Sequence, residues 1–328
     1  MTKKERVRRA LAGQPVDKVP VSFWRHFAGA DSMSQKQVAQ EHLKFYQQTD
    51  LDFIKIMSDG FTAPFDLDIK TPSDLRKIRP VGSEHPYVAG ILERASCVND
   101  LLGDKVDTWF NIFSPFMLLR KLGDDQLTFL LKENRQAVID ALQAVGETLA
   151  NMVQALLRDC GCTGVFACFQ GAEYNRFSTE TFNEVVRPSD LMVLEAANAV
   201  GNLNFAHFCG WDGNKNDLSR WRDYPACAVN WAIYVDDLTL PEGKSYFGGR
   251  PVLGGFDNRQ GKLLFAGEKA DIQAETRRLI DDYREKTGST NGLIIGGDCS
   301  YLPPFQLERF NWVSETIRKM AEEEAYGK

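Results

Sequence analysis

Gly164-Val165-Phe166-Ala167-Cys168-Phe169 is a short run of apolar and aromatic residues that lies between two helical patterns. In the preceding segment, residues 134–158, apolar residues recur at the spacing of an amphipathic helix. The following helical segment opens at Ser178, a residue type that caps helix N-termini, and has an acidic residue in its first turn. A strand set between two helices is typical of α/β proteins with parallel sheets.

Strand-like apolar runs recur along the whole chain. Helical patterns separate them: one spans 270–287, where Gly288 is placed to end it, and another closes the chain at 314–325. Eight strands that alternate with helices predict a (β/α)8 barrel, and we see no repeat or linker, so we expect one barrel domain over residues 1–328. Besides 164–169, the runs are 19–23, 52–57, 109–113, 203–207, 226–231, 251–255 and 293–296.

The alternative fold is an open, doubly wound sheet. Such a sheet normally has a Gly-rich turn after its first strand. Here Phe23 continues into Trp24-Arg25-His26, with no glycine in the turn. The barrel is therefore the preferred fold, and a length of 328 residues suits it.

Composition and charge exclude several classes of function. A net charge of −6 without a basic stripe argues against nucleic-acid binding. The longest apolar runs are far below the ~20 residues of a membrane helix, and the charged N-terminal stretch lacks the apolar core of a secretory signal. Seven cysteines, an odd number in a long chain, fit free thiols in a reducing compartment. We therefore expect a cytoplasmic protein.

Three potential metal ligands stand at the ends of predicted strands. His207 and Cys209 follow the apolar run 203–206, and Cys299 follows the run 293–296. The carboxyl ends of barrel strands meet at one mouth, so these side chains can converge on one ion. Imidazole and thiolate ligands favour Zn2+, and three protein ligands leave the open position of a catalytic site. Taken singly, His207 would be a packed histidine and Cys209 a small buried residue; their coincidence with Cys299 favours zinc.

Three further residues at strand ends are candidates for the same site. Glu173 is a candidate fourth zinc ligand, although a carboxylate there also suits a helix start. Arg25 could bind a substrate carboxylate through its planar guanidinium, or form a salt bridge to a neighbouring loop. Asp59 could accept hydrogen bonds from substrate N–H groups or act as an acid or base, or it could cap the strand end.

Cys160-Gly161-Cys162 offers two more thiols, but it precedes the fourth strand. It therefore falls at the opposite face of the barrel, where side chains serve stability. We expect a helix-ending glycine between two buried thiols, and packing roles for the cysteines at 97, 168 and 227.

Several segments resemble the uroporphyrinogen decarboxylase superfamily, over nearly the whole chain. Met57-Ser58-Asp59 matches its Phe-Ser-Asp, and Gly254-Gly255-Phe256-Asp257-Asn258 is similar to its Gly-Asn-x-Asp-Pro. Residues 9–21 are similar to its opening segment, and 182–188 resemble the helix after strand four. The resemblance implies a (β/α)8 barrel with one of two activities. One is cofactor-free decarboxylation of the acetate side chains of uroporphyrinogen; the other is zinc-dependent methyl transfer from a corrinoid protein to a thiol such as coenzyme M.

The zinc-dependent branch is the better match. It holds zinc through His-x-Cys and a distant Cys, as in His207-Phe208-Cys209 and Cys299. The decarboxylase pattern is met only in part. Arg25 matches the first arginine of its Arg-Gln-Ala-Gly-Arg motif, but the second arginine is absent, and Cys299 stands in place of a late histidine. Asp59 matches the aspartate that accepts hydrogen bonds from pyrrole N–H groups.

The resemblance thus implies Zn2+ as cofactor, a small thiol as substrate and a separate corrinoid protein as methyl donor. Uroporphyrinogen decarboxylation is the alternative, and a non-catalytic barrel that binds a thiol or a corrinoid protein is the second. A monomer or homodimer is expected by analogy.

Overall fold

The computed structural model describes residues 1–210 and 213–327, and this part of the chain contains one sheet of eight parallel strands. Their order in the sheet is β1-β8-β7-β6-β5-β4-β3-β2, so strands β2 to β8 pair with their neighbours in sequence and β1 pairs with β8. The strands are β1 Val21–Ser22, β2 Phe53–Ile56, β3 Asp107–Phe113, β4 Gly164–Phe169, β5 Phe205–Phe208, β6 Ala228–Trp231, β7 Val252–Phe256 and β8 Leu293–Gly297.

The seam between β1 and β2 brings the two ends of the sheet together. The Asp52 N–H donates to the carbonyl of Val21 at 2.8 Å, and the Asp52 carboxylate accepts from the Val21 N–H at 2.9 Å. The Ser22 hydroxyl donates to the carbonyl of Phe53 at 2.8 Å. With helices around this curled sheet, the fold is a (β/α)8 barrel, and the predicted fold class is confirmed.

Helices cover the outside of the barrel, where α7 packs on α9, α2 on α4 and α12 on α13. A π-helical turn, Phe182–Val186, joins α8 to α9. None of the helices in the described ranges combines the length and apolar character that crossing a bilayer requires. The helices are α1 Lys3–Leu11, α2 Gln35–Gln48, α3 Pro72–Leu75, α4 Pro86–Leu102, α5 Pro115–Arg120, α6 Asp124–Glu133, α7 Arg135–Asp159, α8 Thr179–Thr181, α9 Arg187–Asn198, α10 Leu240–Tyr246, α11 Leu263–Ala266, α12 Lys269–Thr287 and α13 Glu308–Tyr326.

Helix termini follow the local signals of the sequence. The Ser178 side chain accepts from the N–H of Thr181 and caps α8. Gly288 ends α12 in the left-handed conformation, at φ +79°. The last helix, α13, begins at Glu308 and is longer than the predicted 314–325.

At the start of β5 the observed strand is shorter than predicted, because side-chain hydrogen bonds replace the ladder there. The run 203–207 predicted a strand from Leu203, but β5 begins at Phe205. The Asn204 side chain accepts from the N–H of Val165 at 2.9 Å and donates to the carbonyl of Gly201. This buried amide therefore satisfies backbone groups that a longer strand would have paired.

The barrel interior has an aromatic floor. The Phe205 ring lies 5.3 Å from Phe166, 5.7 Å from Phe53 and 5.3 Å from Trp109, measured between ring centroids. Along a strand, residues i and i+2 face the same side of the sheet. The residues two positions after these aromatic side chains therefore also point into the barrel, and they form a polar layer nearer the mouth. The polar layer consists of Lys55, Asn111, Cys168, His207 and Asn230, all buried.

Candidate metal centre

Cys209 and Cys299 lie just beyond the carboxyl ends of β5 and β8. The Cys209 N–H donates to the carbonyl of Phe169 at 3.0 Å, which continues the ladder one residue past β5. The Asp298 N–H donates to the carbonyl of Phe256 at 2.8 Å and does the same after β8. Backbone hydrogen bonds thus hold both thiol-bearing segments at the same end of the barrel.

Two of the three separations between the donor atoms are those of a tetrahedral metal centre. Cys209 Sγ is 4.0 Å from Cys299 Sγ, and Cys299 Sγ is 3.5 Å from His207 Nε2. All three donors lie within 4.8 Å of one another. Zinc bond lengths of ~2.3 Å to sulfur and ~2.0 Å to nitrogen give about 3.8 Å between two sulfurs and about 3.5 Å between sulfur and nitrogen. The donor set and its spacing therefore fit zinc.

The hydrogen bonds of Asn230 fix the tautomer of His207. The Asn230 Nδ2 group donates to the carbonyls of Leu253 at 2.8 Å and Gly297 at 3.2 Å, so its Oδ1 is the acceptor. That oxygen lies 2.6 Å from His207 Nδ1, which must carry the proton. His207 Nε2 consequently presents its lone pair toward the thiols, as a metal ligand requires.

The two thiols are inequivalent. A hydrogen bond from Cys209, together with the positive charge of Lys55, lowers the pKa of Cys299 well below its ordinary value against the opposing effect of burial. The same hydrogen bond and burial raise the pKa of Cys209 well above its ordinary value. Cys209 is therefore the S–H donor of the pair, and Cys299 is the first to become a thiolate.

A cavity of about 460 Å3 opens beside the three donors. Its walls are mostly apolar, with a few amide and cationic groups, which is the usual make-up of a small-molecule site. No Asp or Glu is among the described residues that line it. The lining residues are His26, Lys55, Met57, Asn111, Phe113, Met117, Cys168, His207, Cys209, Asn258, Arg259, Gln260, Cys299, Ser300 and Leu302.

The Asp59 carboxylate is bound on both of its oxygens. One lies 2.6 Å from His26 Nδ1, and the other accepts from the N–H of Phe27 at 2.8 Å. Burial alone would lower the pKa of His26, but the hydrogen bond and charge of Asp59 raise it above the ordinary value. His26, not Asp59, lines the cavity. Asp59 is therefore placed to position His26, and its role as an acid or base stays a prediction.

Arg25 and Glu173 lie apart from the three donors. The Arg25 guanidinium lies 5.0 Å from the ring centroid of Phe27 and 5.9 Å from that of Phe45, and Arg25 is not among the residues that line the cavity. The Glu173 carboxylate accepts from Arg120 at 2.8 Å and from Arg176 at 3.1 Å. Each oxygen of this carboxylate thus accepts from one guanidinium. Both roles stay predictions that the observed contacts do not support.

Sequence reasoning assigned no role to His26, Lys55 or Asn230. A signal for Lys55 was present, because it interrupts an otherwise apolar strand at an inward position between Phe53 and Met57. No comparable signal distinguishes Asn230 from any other polar residue in a strand. Asn230 matters because it binds His207 on β5 and the carbonyl of Gly297 on β8, and these are the two strands whose ends carry the three donors.

The molecule is thus a (β/α)8 barrel with a cluster of soft metal donors at its mouth. A family model described as uroporphyrinogen decarboxylase (URO-D) matches residues 54–320. The chain therefore belongs to the uroporphyrinogen decarboxylase family, which confirms the resemblance inferred from its motifs.

Solved structures with the same fold include a methyltransferase from Methanosarcina mazei. It matches with a TM-score of 0.80 at 17% identity, over 98% of this chain and 99% of that one. A GH5_18 protein from Streptomyces cattleya in complex with GlcNAc matches with a TM-score of 0.55 at 11% identity, over 92% of this chain and 80% of that one. At these identities the likeness concerns the fold alone. A search of curated proteins finds no match.

Proposed function

We propose that this protein is a zinc-dependent methyltransferase that moves a methyl group from a corrinoid, carried by a partner protein, to a thiol. The observation that carries the proposal is the convergence of His207 Nε2, Cys209 Sγ and Cys299 Sγ within 4.8 Å at the barrel mouth. Membership of the family and the fold shared with a methyltransferase from Methanosarcina mazei agree with it.

In this proposal the three donors hold zinc, and the fourth position faces the cavity. Bound zinc would supply a Lewis acid that keeps a thiol ligand deprotonated at neutral pH. Asn230 keeps the Nε2 lone pair of His207 directed toward the centre. Met57, Phe113 and Met117 supply apolar surface to the cavity, which limits the water that reaches a bound thiol.

The methyl donor enters from outside in this scheme. Leu302 lines the cavity and is 50% exposed, so the cavity reaches the surface next to the segment that holds Cys299. The partner corrinoid protein would present its methyl group at this opening. Methyl transfer would form a bond between sulfur and carbon as the bond from carbon to the corrinoid cobalt breaks. Because sulfur, carbon and the leaving cobalt must be in line for this displacement, the walls of the cavity would serve chiefly to orient the thiol.

Uroporphyrinogen decarboxylation is the second candidate, favoured by the family and by the position of Asp59 beside His26. A substrate with eight carboxylates needs several cations. Of the cationic side chains that line the cavity, Arg259 is held by Asp257 and His26 by Asp59. The supply of unpaired positive charge is therefore small, and we rank this activity second.

Metal analysis tests the first step. Protein made in zinc-replete medium should contain about one zinc ion per chain, and Cys209→Ser should contain almost none. Cys227→Ser is a matched control, because Cys227 directly precedes β6, at the end of the barrel opposite the three donors, and is not among the residues of the cavity. Parent protein without zinc would remove the proposal.

Two assays then separate the candidates. Methylcobalamin and a panel of thiols should give a methyl thioether with zinc-loaded parent protein and none with Cys209→Ser. Uroporphyrinogen should remain unchanged under the same conditions, whereas appearance of coproporphyrinogen would favour decarboxylation. Zinc binding with neither reaction would favour a non-catalytic barrel that binds a thiol or a corrinoid protein.

A further inference from the structure

Lys55 is a buried cation in the wall of the cavity. It lies on β2 with 3% of its surface exposed, in the same polar layer as His207 and Asn230. Its ammonium group is 4.0 Å from the ring centroid of Phe166 and 4.8 Å from that of Trp24. Aromatic faces stabilise a cation in part, but they do not neutralise it.

No carboxylate in the described ranges forms an ion pair with Lys55. The other two cations that line the cavity do have such partners, since Arg259 pairs with Asp257 and His26 with Asp59. The ammonium donates a hydrogen bond to Cys168 Sγ at 3.9 Å. That group donates to Asn111 Oδ1 at 3.1 Å and so acts as a thiol, not as a counter-ion. A buried cation without a counter-ion is costly unless a ligand supplies the missing charge.

The charge of the metal centre identifies that ligand. A divalent ion held by His207 and the thiolates of Cys209 and Cys299 has a net charge of zero. A third thiolate in the open position makes the centre anionic. With one positive charge from Lys55 in the same cavity, the loaded site is neutral, whereas a neutral ligand leaves the lysine unbalanced.

We propose that Lys55 is the counter-ion for an anionic ligand in the open position, and that it selects a thiolate over neutral ligands. The proposal rests on the proposed function, since it requires a metal on the three donors. Lys55 acts through its charge on the ligand and is not assigned a bond to the metal. Removing the charge should weaken thiolate binding by about 10-fold or more, and should leave metal binding little changed, because the ion with its three protein ligands carries no net charge.

The test uses Co2+, which occupies tetrahedral zinc sites and reports its ligands by visible absorption. Parent protein, Lys55→Met and the control Lys121→Met are loaded with Co2+ and titrated with 2-mercaptoethanol and, separately, with imidazole at one pH. Lys121 is an exposed cation that donates to the carbonyl of Phe61 and does not line the cavity. Only Lys55→Met should lose affinity for the thiol, and its affinities for imidazole and Co2+ should not fall.

Each other outcome has a definite meaning. Equal thiol affinity in parent and Lys55→Met overturns the inference, as does a parallel loss for both ligands, which would indicate a structural role. Lys55→Gln, which is shorter and polar, should repeat the result of Lys55→Met if charge is the cause. Parent protein that binds no Co2+ removes the proposed function itself, which is a different failure from a lysine without effect.

Discussion

The two ends of the barrel each carry a pair of cysteines, and their surroundings are opposite in kind. At the mouth, Cys209 and Cys299 face a histidine lone pair and a cavity. At the base, Cys160 and Cys162 are held by Asn99, whose amide donates to the carbonyl of Cys160 at 2.7 Å and contacts Cys162 Sγ at 3.5 Å. Burial raises the pKa of Cys162 to about 12. The same residue type is thus poised as a ligand at one end and kept as an inert thiol at the other.

Charged groups differ between the two ends in the same way. At the base, Arg8 forms a bidentate pair with Asp107, and Arg6 donates to Asp52. At the mouth, Lys55 has no carboxylate partner among the described residues. At the base, charged side chains pair with one another. At the mouth, the metal donors and the charge of Lys55 remain available to a ligand. This division agrees with the general separation of stability and chemistry in (β/α)8 barrels.

The largest expected effect concerns the base. Asp52 is fully buried, accepts from Arg6 at 2.6 Å and from the N–H of Val21 at 2.9 Å, and holds the seam between β1 and β2. Asp52→Ala removes one of the two carboxylates that bind Arg6, which keeps its pair with Asp17, and leaves the buried N–H of Val21 without an acceptor. We therefore expect the free energy of unfolding to fall by about 3 kcal/mol. Urea denaturation of the parent protein and the variant measures this difference in the free energy of unfolding.

Asp50→Ala is the matched control for this variant. Asp50 pairs with Lys3 and Arg318 at the surface, so its loss should cost less than about 1 kcal/mol. Zinc content should be unchanged in both variants as long as they are folded. Equal destabilisation by the two substitutions would contradict the assignment of the seam to Asp52.

The second prediction compares the two thiol pairs directly. Cys299→Ala removes one of three ligands and should lower zinc affinity by more than about 100-fold, which exceeds the usual effect of a group outside the first coordination shell. Cys162→Ala should leave the affinity unchanged, because that thiol lies at the base with Asn99. Competition with a chromophoric chelator gives both constants. A comparable loss in Cys162→Ala would mean that the two ends are coupled.

Whether the sequence predicts the role of a site residue depends on how far away in sequence the partners of that residue lie. Parallel strands bring their carboxyl ends to one side, so His207 and Cys299 could be placed together from strand ends alone. Glu173 could not be assigned in this way, because one of its two arginine partners, Arg120, is 53 residues away in sequence and is brought to it by the tertiary fold. The lack of a partner for Lys55 is likewise visible only when every neighbouring element is in place.

The third prediction concerns Asn230, which acts on the centre through His207. Asn230→Ala removes the acceptor that holds the proton on His207 Nδ1, so zinc affinity should fall by roughly 10- to 100-fold. Asn204→Ala is the control at the base, since Asn204 is equally buried and bonds to the N–H of Val165. It should lower stability without changing zinc affinity. If both variants lose zinc equally, Asn230 matters for folding and not for the tautomer.

The smallest effect is the pH dependence of the ion pair between His26 and Asp59. Folding raises the pKa of His26 above its ordinary value of 6.5, because the hydrogen bond and charge of Asp59 outweigh burial. The protonated imidazole is therefore favoured in the folded state. Its contribution to stability is fully present below about pH 6.5 and is lost as the pH rises through the raised pKa. Because the His26 side chain is 37% exposed, the contribution should stay below about 1 kcal/mol.

The measurement is the difference in unfolding free energy between parent protein and His26→Gln, followed from acidic to alkaline pH. We expect the difference to shrink as the pH rises through the neutral range. Arg8→Met supplies the contrast from the base, since Arg8 keeps its charge over that range and its pair with Asp107 should contribute a constant amount. A His26 difference that is flat or grows with pH would show that His26 is not protonated in the folded mouth, and would leave Lys55 as the cation that a ligand in the cavity meets.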